Sequence, residues 1–348
     1  MKTLPPYIKD ILCQPEDIQK LLDTYEADAL ESIKDDLVEG KFDRIILSGM
    51  GSSLNALYPA SLSLAALDLP VIWMDTSELL HYAVNQINER SLVWLVSQSG
   101  QSAEILTLLD VMKKKAPKAK IIASTNEPDS PLAKAAHAVL LIRAGDEYTV
   151  STRTYLNTLI TNMFGVEYLK GKKIAKTKEA IQNIIPEISA YVQNWQEHVQ
   201  SWKEQLYLPG KFFLLGRGPS MAAVMTGALT TKEAAKWQLE GITTAHFRHG
   251  PLEMADENLT AIILSGCEKT KDLNRNLALD IKKYGGKVIW INQETDLIIP
   301  TMTYPAAPDA LLQLVEILPI QMLTIALAEQ NGFEPGEFRY LGKITTTE

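Results

Sequence analysis

The sequence predicts an α/β protein made of two tandem domains, each built on a mostly parallel sheet with helices on both faces. Three observations carry this. Short apolar runs alternate with helical segments along the chain, as in a parallel sheet covered by helices. Two apolar runs end in the same kind of turn, Gly49-Met50-Gly51 and Gly216-Arg217-Gly218, 167 residues apart (216 − 49). Lys120-Ile121-Ile122 returns as Lys287-Val288-Ile289 at that same offset (287 − 120). Equal offsets at separate points argue a duplicated unit.

Taken in order, residues 1–35 read as an arm and a helix. Pro5, Pro6 and Pro15 punctuate the arm; Ile18, Leu21, Leu22, Tyr25, Leu30 and Ile33 fall close to one helical face. The first α/β domain occupies 36–175. Arg44 to Leu47 enters a Gly-x-Gly turn, and a helix follows from about Leu54 to Ala66. Val71–Met74, Leu92–Val96, Lys120–Ala123 and Val139–Ile142 are further strands, with helices over Ala103–Lys115 and Thr152–Leu169. A connecting helix covers 176–205. The second domain, 206–335, restarts the pattern at Phe212 and places a long helix over Met221–Leu239, followed by a loop with His246, Arg248 and His249. An apolar helix from Leu311 to Gln330 ends at Gly332-Phe333-Glu334-Pro335-Gly336. Residues 336–348 form a C-terminal tail.

Composition excludes several classes of function. The chain of 348 residues is 46% hydrophobic and 22% charged, with a formal net charge of −8. No basic excess points to nucleic acid. Cys13 and Cys267 build neither a disulfide framework nor a metal spacing. The N-terminus lacks a signal core, and the longest apolar runs read as too short for a bilayer. A cytoplasmic protein without a membrane partner is expected.

Ser97-Gln98-Ser99-Gly100-Gln101-Ser102 follows a strand and opens a helix. Backbone N–H groups and hydroxyls at such a turn suit an anion, and the C-terminal ends of strands are where open α/β sheets bind ligands. The plainer alternative is a serine-rich turn with helix capping. Neither Gly-x-Gly turn completes a dinucleotide fingerprint, since Leu54 and Met221 stand at the third glycine's place; no cofactor is expected. Glu233 lies in the long helix near Lys232 and Lys236, where a solvated ion pair is the ordinary reading. His249 precedes Gly250-Pro251 in a turn. His246 and His249 lack an evident third ligand, so no metal is expected. Glu233 and His249 can converge if the intervening loop folds back or reaches a neighbouring subunit.

Together these stretches resemble the sugar isomerase (SIS) family over nearly the whole chain. The likeness is to the isomerase half of glutamine–fructose-6-phosphate transaminases, to glutamine-independent glucosamine-6-phosphate deaminases and to phospho-Amadori deglycases. Its marks are the Ser97–Ser102 loop, the Lys232-Glu233 helix with His249-Gly250-Pro251-Leu252, and the tail Arg339-Tyr340-Leu341-Gly342-Lys343-Ile344-Thr345. The resemblance implies two three-layer α/β/α SIS domains in a homodimer with shared active sites. It implies that Ser53, Ser97, Gln98, Ser99 and Ser102 hold the phosphate of a sugar phosphate. It implies that Glu233 moves a proton between C1 and C2, that His249 of a partner subunit opens the ring, and that Lys343 closes on the open-chain sugar.

Two departures direct the expected reaction. The chain does not begin with Met-Cys, and no glutaminase segment is expected before the first domain. Thr226-Gly227-Ala228-Leu229-Thr230-Thr231-Lys232-Glu233 stands where the synthase branch has Glu-Gly-Ala-Leu-Lys-Leu-Lys-Glu. The expectation is glucosamine-6-phosphate deamination to fructose 6-phosphate and ammonia. Phe247 to Glu253 is similar to the deglycase branch, so fructosamine-6-phosphate deglycation is the alternative; a non-catalytic sugar-phosphate-binding regulator is the second. An isomerising proton shift needs one base that serves two carbons, and a partly buried carboxylate suits it. Ring opening needs a group that shuttles protons near neutrality, which suits histidine.

Overall fold

The computed structural model describes residues 4–26, 28–206, 210–340 and 342–343. In the tail motif, Leu341, Ile344 and Thr345 lie outside the described residues. The strands are β1 (Arg44–Gly49), β2 (Val71–Asp75), β3 (Ser91–Val96), β4 (Lys120–Thr125), β5 (Ala138–Leu141), β6 (Lys211–Gly216), β7 (Glu240–Thr243), β8 (Leu259–Leu264), β9 (Lys287–Asn292) and β10 (Thr301–Thr303). The helices of the first half are α1 (Pro6–Thr24), α2 (Glu31–Val38), α3 (Gly51–Asn55), α4 (Tyr58–Leu64), α5 (Thr76–His81), α6 (Ala103–Lys115), α7 (Pro131–Ala135) and α8 (Arg153–Leu169). They are followed by α9 (Ala175–Gln193), α10 (Trp195–Gln205), α11 (Met221–Ala235), α12 (Thr244–Arg248), α13 (Glu268–Lys283), α14 (Leu312–Val315) and α15 (Ile317–Gln330).

The described residues fall into two compact units. The first domain draws on Glu16–Glu147, Ser151–Gln182 and Arg339–Glu348; the second draws on Met1–Pro15, Tyr148–Val150 and Asn183–Phe338. The first sheet runs β2-β1-β3-β4-β5 and the second β10-β9-β8-β6-β7. The strand pairings in both are parallel. Read from its own first strand, each sheet has the order 2-1-3-4-5, so the duplication extends to topology. β6 begins 167 residues after β1 (211 − 44), and β9 begins 167 after β4 (287 − 120).

Side chains of the first sheet alternate between two covered faces, as the period-2 geometry of a strand requires. Ile45, Leu47, Leu92, Trp94, Val96 and Ile122 join one buried cluster. Ile46, Val93, Leu95, Ile121 and Ala123 join the other. Trp94 brings an indole N–H into that core. It donates to Ser124 Oγ at 2.9 Å, and Ser124 Oγ donates to Asn162 Oδ1 at 2.9 Å. In the second domain, Phe213, Leu215, Ile263 and Trp290 lie in one cluster. On the opposite face α11 approaches α15 closely: a Cβ on Gly227 would lie 2.5 Å from Ile320 Cγ2, so only glycine admits that crossing.

Several helix expectations are corrected. Leu54–Ala66 is two short helices, α3 and α4, and 176–205 is divided at Asn194 into α9 and α10. Pro15 lies inside α1 rather than before it. Leu311–Gln330 is divided at Glu316, which caps α15. The apolar runs are also longer than expected. Asp309–Gln330, 22 residues, is long and apolar enough to cross a membrane, but 94% of its most apolar window is buried inside the protein. The helix expected over Met221–Leu239 stops at Ala235, because Lys236 takes a left-handed backbone at φ 53°. The expected loop beyond it contains β7 and α12.

Candidate active site

The first domain gathers three features at the C-terminal edge of its sheet. β1 and β3 are neighbours, with Gly49 opposite Val96. The order 2-1-3-4-5 reverses between them, and such a switch point opens a crevice. The turn through Ser53 and the loop Ser97–Ser102 therefore flank the same crevice.

The loop is held rigidly by backbone contacts. Gly100 N–H donates to Ser97 O and to Ser97 Oγ, both at 3.1 Å. The carbonyl of Gln98 accepts from Asn126 N at 2.9 Å and from Thr125 Oγ1 at 3.1 Å. Asn126 is itself clamped to Ala144 through both side-chain atoms at 3.0 Å. Gly100 has φ 61°, and a Cβ there would lie 2.2 Å from Ser130 Oγ. Ser97 and Ser99 are buried, Gln98 and Ser102 half-buried. Ser102 is the N-cap residue of α6, yet its hydroxyl makes no capping bond. The capping alternative thus fails at Ser102, and the hydroxyl remains available at the positive end of a 13-residue helix.

The third feature is Glu147. Its carboxylate folds onto the start of α8, accepting from Thr152 N at 2.8 Å, Thr152 Oγ1 at 3.1 Å, Thr154 N at 3.1 Å and Thr154 Oγ1 at 2.6 Å. Lys343 Nζ donates to Oε2, the oxygen that also accepts from Thr154 Oγ1, and forms an ion pair with it. Ser52 Oγ donates to Ser151 Oγ at 2.9 Å, joining the start of α8 to the turn after β1. Ser53, the Ser97–Ser102 loop and Lys343 accordingly belong to one edge of one domain. Sequence reasoning missed Glu147. Its signals were an acid shortly after the fifth strand and two threonines five and seven residues on, a weak pattern.

Glu233 and His249 belong to the second domain, which does not bring them together. Glu233 is half-buried in the last turn of α11. The chain leaves the C-terminal end of β6, runs back along α11, and starts again in β7, parallel to β6 with Gly216 opposite Thr243. Glu233 therefore lies towards the start of the strands; α12 turns back on the opposite face of the sheet, and Phe247, two residues before His249, packs against Phe213 near the start of β6 with ring centroids 5.0 Å apart. His249 caps α12, is exposed, and donates its N–H to His246 O at 3.0 Å. At the end of α11, Lys236 Nζ donates at 2.6 Å to the backbone carbonyl of Glu233 and also to that of Glu337.

The departures on α11 are interior residues. Thr226 is fully buried, and its hydroxyl has no hydrogen-bond partner among the described residues. Thr230 is buried and donates to Gly227 O at 3.3 Å. Neither position offers water to a charged side chain. Among the described residues no group of three or more His, Cys, Asp or Glu could hold a metal ion.

A family model described as SIS domain matches residues 41–167 and 205–328. The glutamine–fructose-6-phosphate aminotransferase (isomerizing) of Pyrococcus horikoshii is 27% identical over 352 residues, covering 98% of this chain and 57% of that protein. That of Thermococcus kodakarensis is 26% identical over 354 residues, covering 98% and 58%. The chain thus spans less than two thirds of the length of these curated relatives. Among solved structures, the C-terminal domain of glucosamine-fructose-6-phosphate aminotransferase from Francisella tularensis superposes with a TM-score of 0.84 at 24% identity, over 97% of this chain and 98% of that one. Glucosamine-6-phosphate deaminase from Thermotoga maritima gives 0.73 at 21%, over 98% and 100%. At these identities the superpositions establish the fold.

Proposed function

Because the chain belongs to the SIS domain family, we propose that it is an aldose–ketose isomerising enzyme of 6-phosphorylated amino sugars, acting as a glucosamine-6-phosphate deaminase. The observation that carries this is the hydroxyl loop Ser97–Ser102 at the switch point of the first sheet, with the Ser102 hydroxyl left out of capping. In this proposal Ser53, Ser97, Gln98, Ser99 and Ser102 bind the phosphate through neutral donors and the start of α6. That binding holds the sugar by an end remote from the reacting carbons. Glu233 takes the proton from one carbon and returns it to its neighbour, His249 shuttles the ring-opening proton, and Lys343 meets the open-chain sugar. Relatives named as aminotransferases of fructose 6-phosphate support a sugar-phosphate substrate.

The topology of the second domain supports a homodimer with shared sites. Glu233 and His249 of one chain lie on helices that cover opposite faces of its sheet, so a site needing both is met by His249 of a second copy. Uncharged Thr226 and Thr230 on the helix of Glu233 support a reaction other than that of the synthase branch. The Phe247–Glu253 stretch favours a second reading, deglycation of a fructosamine 6-phosphate. Cys13 and Cys267, which form no disulfide, suit the cytoplasmic setting that the proposal includes.

The test is a coupled assay with glucosamine 6-phosphate and fructoselysine 6-phosphate side by side, on wild-type protein and on Glu233→Gln. Deamination of the first substrate is expected, with a loss of about 10² to 10⁴ in rate for the variant. Mixing inactive Glu233→Gln with inactive His249→Ala, after mass spectrometry verifies subunit exchange, should restore about a quarter of wild-type activity: half the dimers are mixed, and half their sites are intact. Turnover of fructoselysine 6-phosphate alone selects the second reading. Near wild-type rates for Glu233→Gln refute the assigned base.

A further inference from the structure

We propose that Glu147 is a positioning residue whose role is to hold the Lys343 ammonium at the site, which rests on the reading of Lys343 given above. The Glu147 side chain has no exposed surface. A lone carboxylate in that place would cost several kcal/mol unless donors replaced its water. Thr152 and Thr154 supply four such donors, two of them backbone N–H groups at the start of α8. That helix end also favours a negative charge. Three donors converge on Oε1; among the described residues Oε2 receives the Thr154 hydroxyl besides Lys343 Nζ.

The seat is thus built by a short segment of the first domain, and the tail supplies the cation from 196 positions away. The tail is tied through the same nitrogen that is assigned to the substrate. Lys343 keeps 24% of its side chain exposed, so the lysine reaches the surface of the site while its ammonium meets the carboxylate. This separates two functions on one edge of the sheet. The hydroxyl loop sets where the phosphate lies, and Glu147 sets where the ammonium waits. Removing Glu147 should lower turnover and leave phosphate recognition in place.

The experiment is a kinetic double-mutant cycle of Glu147→Gln, Lys343→Ala and the pair, with glucosamine 6-phosphate as substrate and inorganic phosphate as competing ligand. Glu147→Gln should lower kcat at least tenfold, with KM and phosphate inhibition within about threefold of wild type. The double variant should be no slower than Lys343→Ala, because a residue that acts through another adds nothing once that partner is gone. In parallel, the rate of Lys343 acetylation by acetic anhydride, read on its peptide by mass spectrometry, should rise at least tenfold in Glu147→Gln relative to the other lysines. If Glu147→Gln does not fold, Glu147→Asp takes its place, since it keeps the charge and withdraws it by one methylene. An unchanged kcat for the Glu147 variant beside an inactive Lys343→Ala overturns the inference alone, as does an additive cycle or unaltered labelling. A fully active Lys343→Ala overturns the reading of Lys343 and the inference with it.

Discussion

Gly100→Ala adds one methyl group to the centre of the hydroxyl loop. The new Cβ would lie 2.2 Å from Ser130 Oγ, 2.6 Å from Ser130 Cβ and 3.2 Å from Thr125 Oγ1. Overpacking of this kind costs about 1–3 kcal/mol. The φ of 61° adds about 1–2 kcal/mol for a residue with a Cβ. Alanine recovers about 0.4–1 kcal/mol by restricting the unfolded chain. The balance is a penalty of about 1–5 kcal/mol, met partly by unfolding and partly by displacement of the loop that carries Ser99 and Ser102. Calorimetric titration with glucosamine 6-phosphate should show affinity weakened at least tenfold, about 1.4 kcal/mol, and thermal melting should shift downward. Ser130→Gly removes the two closest atoms and leaves the backbone strain. It also gives up the α7 cap, in which Ser130 Oγ accepts from Ala133 N at 3.2 Å, but glycine replaces a cap at a cost of only a few tenths of a kcal/mol. The pair Gly100→Ala/Ser130→Gly should therefore bind more tightly than Gly100→Ala alone. An unchanged affinity and melting temperature for Gly100→Ala would refute the loop's role. A double variant no better than the single would show that the contact with Ser130 was not the cause.

Two further outcomes concern stability. Glu316 is fully buried, and burial, the largest influence, raises its pKa from 4.5 to about 7, against the Ser220 hydroxyl and the Gly266 N–H. The folded chain then holds a proton that the unfolded chain releases, so this group's contribution to stability falls as pH rises from about 4.5 to about 7 and is flat above. Glu316→Gln removes that slope: its stability relative to wild type should improve by about 2–3 kcal/mol between pH 5 and pH 8, read from denaturant midpoints, and a difference independent of pH would contradict the assignment. Ser124→Ala strands the Trp94 indole N–H and the Asn162 carbonyl in the first core. It should cost about 2–4 kcal/mol; a loss below about 0.5 kcal/mol in chemical unfolding would show that the site relaxes without strain.

The domain plan was legible because its signals are local. Buried parallel strands are short apolar runs, and the repeat at 167 residues is visible in Gly49 and Gly216 and in Lys120 and Lys287. The hydroxyl loop was legible for the same reason, since strand, serines, Gly100 and helix follow one another directly. The end of α11 was not. Thr231 to Leu239 reads as helix by composition, and the stop depends on a left-handed Lys236, whose ammonium reaches two carbonyls. No local signal marks a lysine as a helix stop where glycine is the usual one.

The residues by themselves determined two parallel α/β units and one anion-ready turn, because each follows from neighbours within one element and the next. Tertiary structure alone decided which chemistry shares an edge. Glu147 and Lys343 meet across 196 positions, and no periodicity records a contact made by the return of the tail. It also decided that Glu233 and His249, sixteen positions apart (249 − 233), end on helices that cover opposite faces of a sheet. Successive connections of a parallel sheet can pack on either face, and α11 and α12 take opposite ones, so the sheet itself lies between residues that are close in sequence.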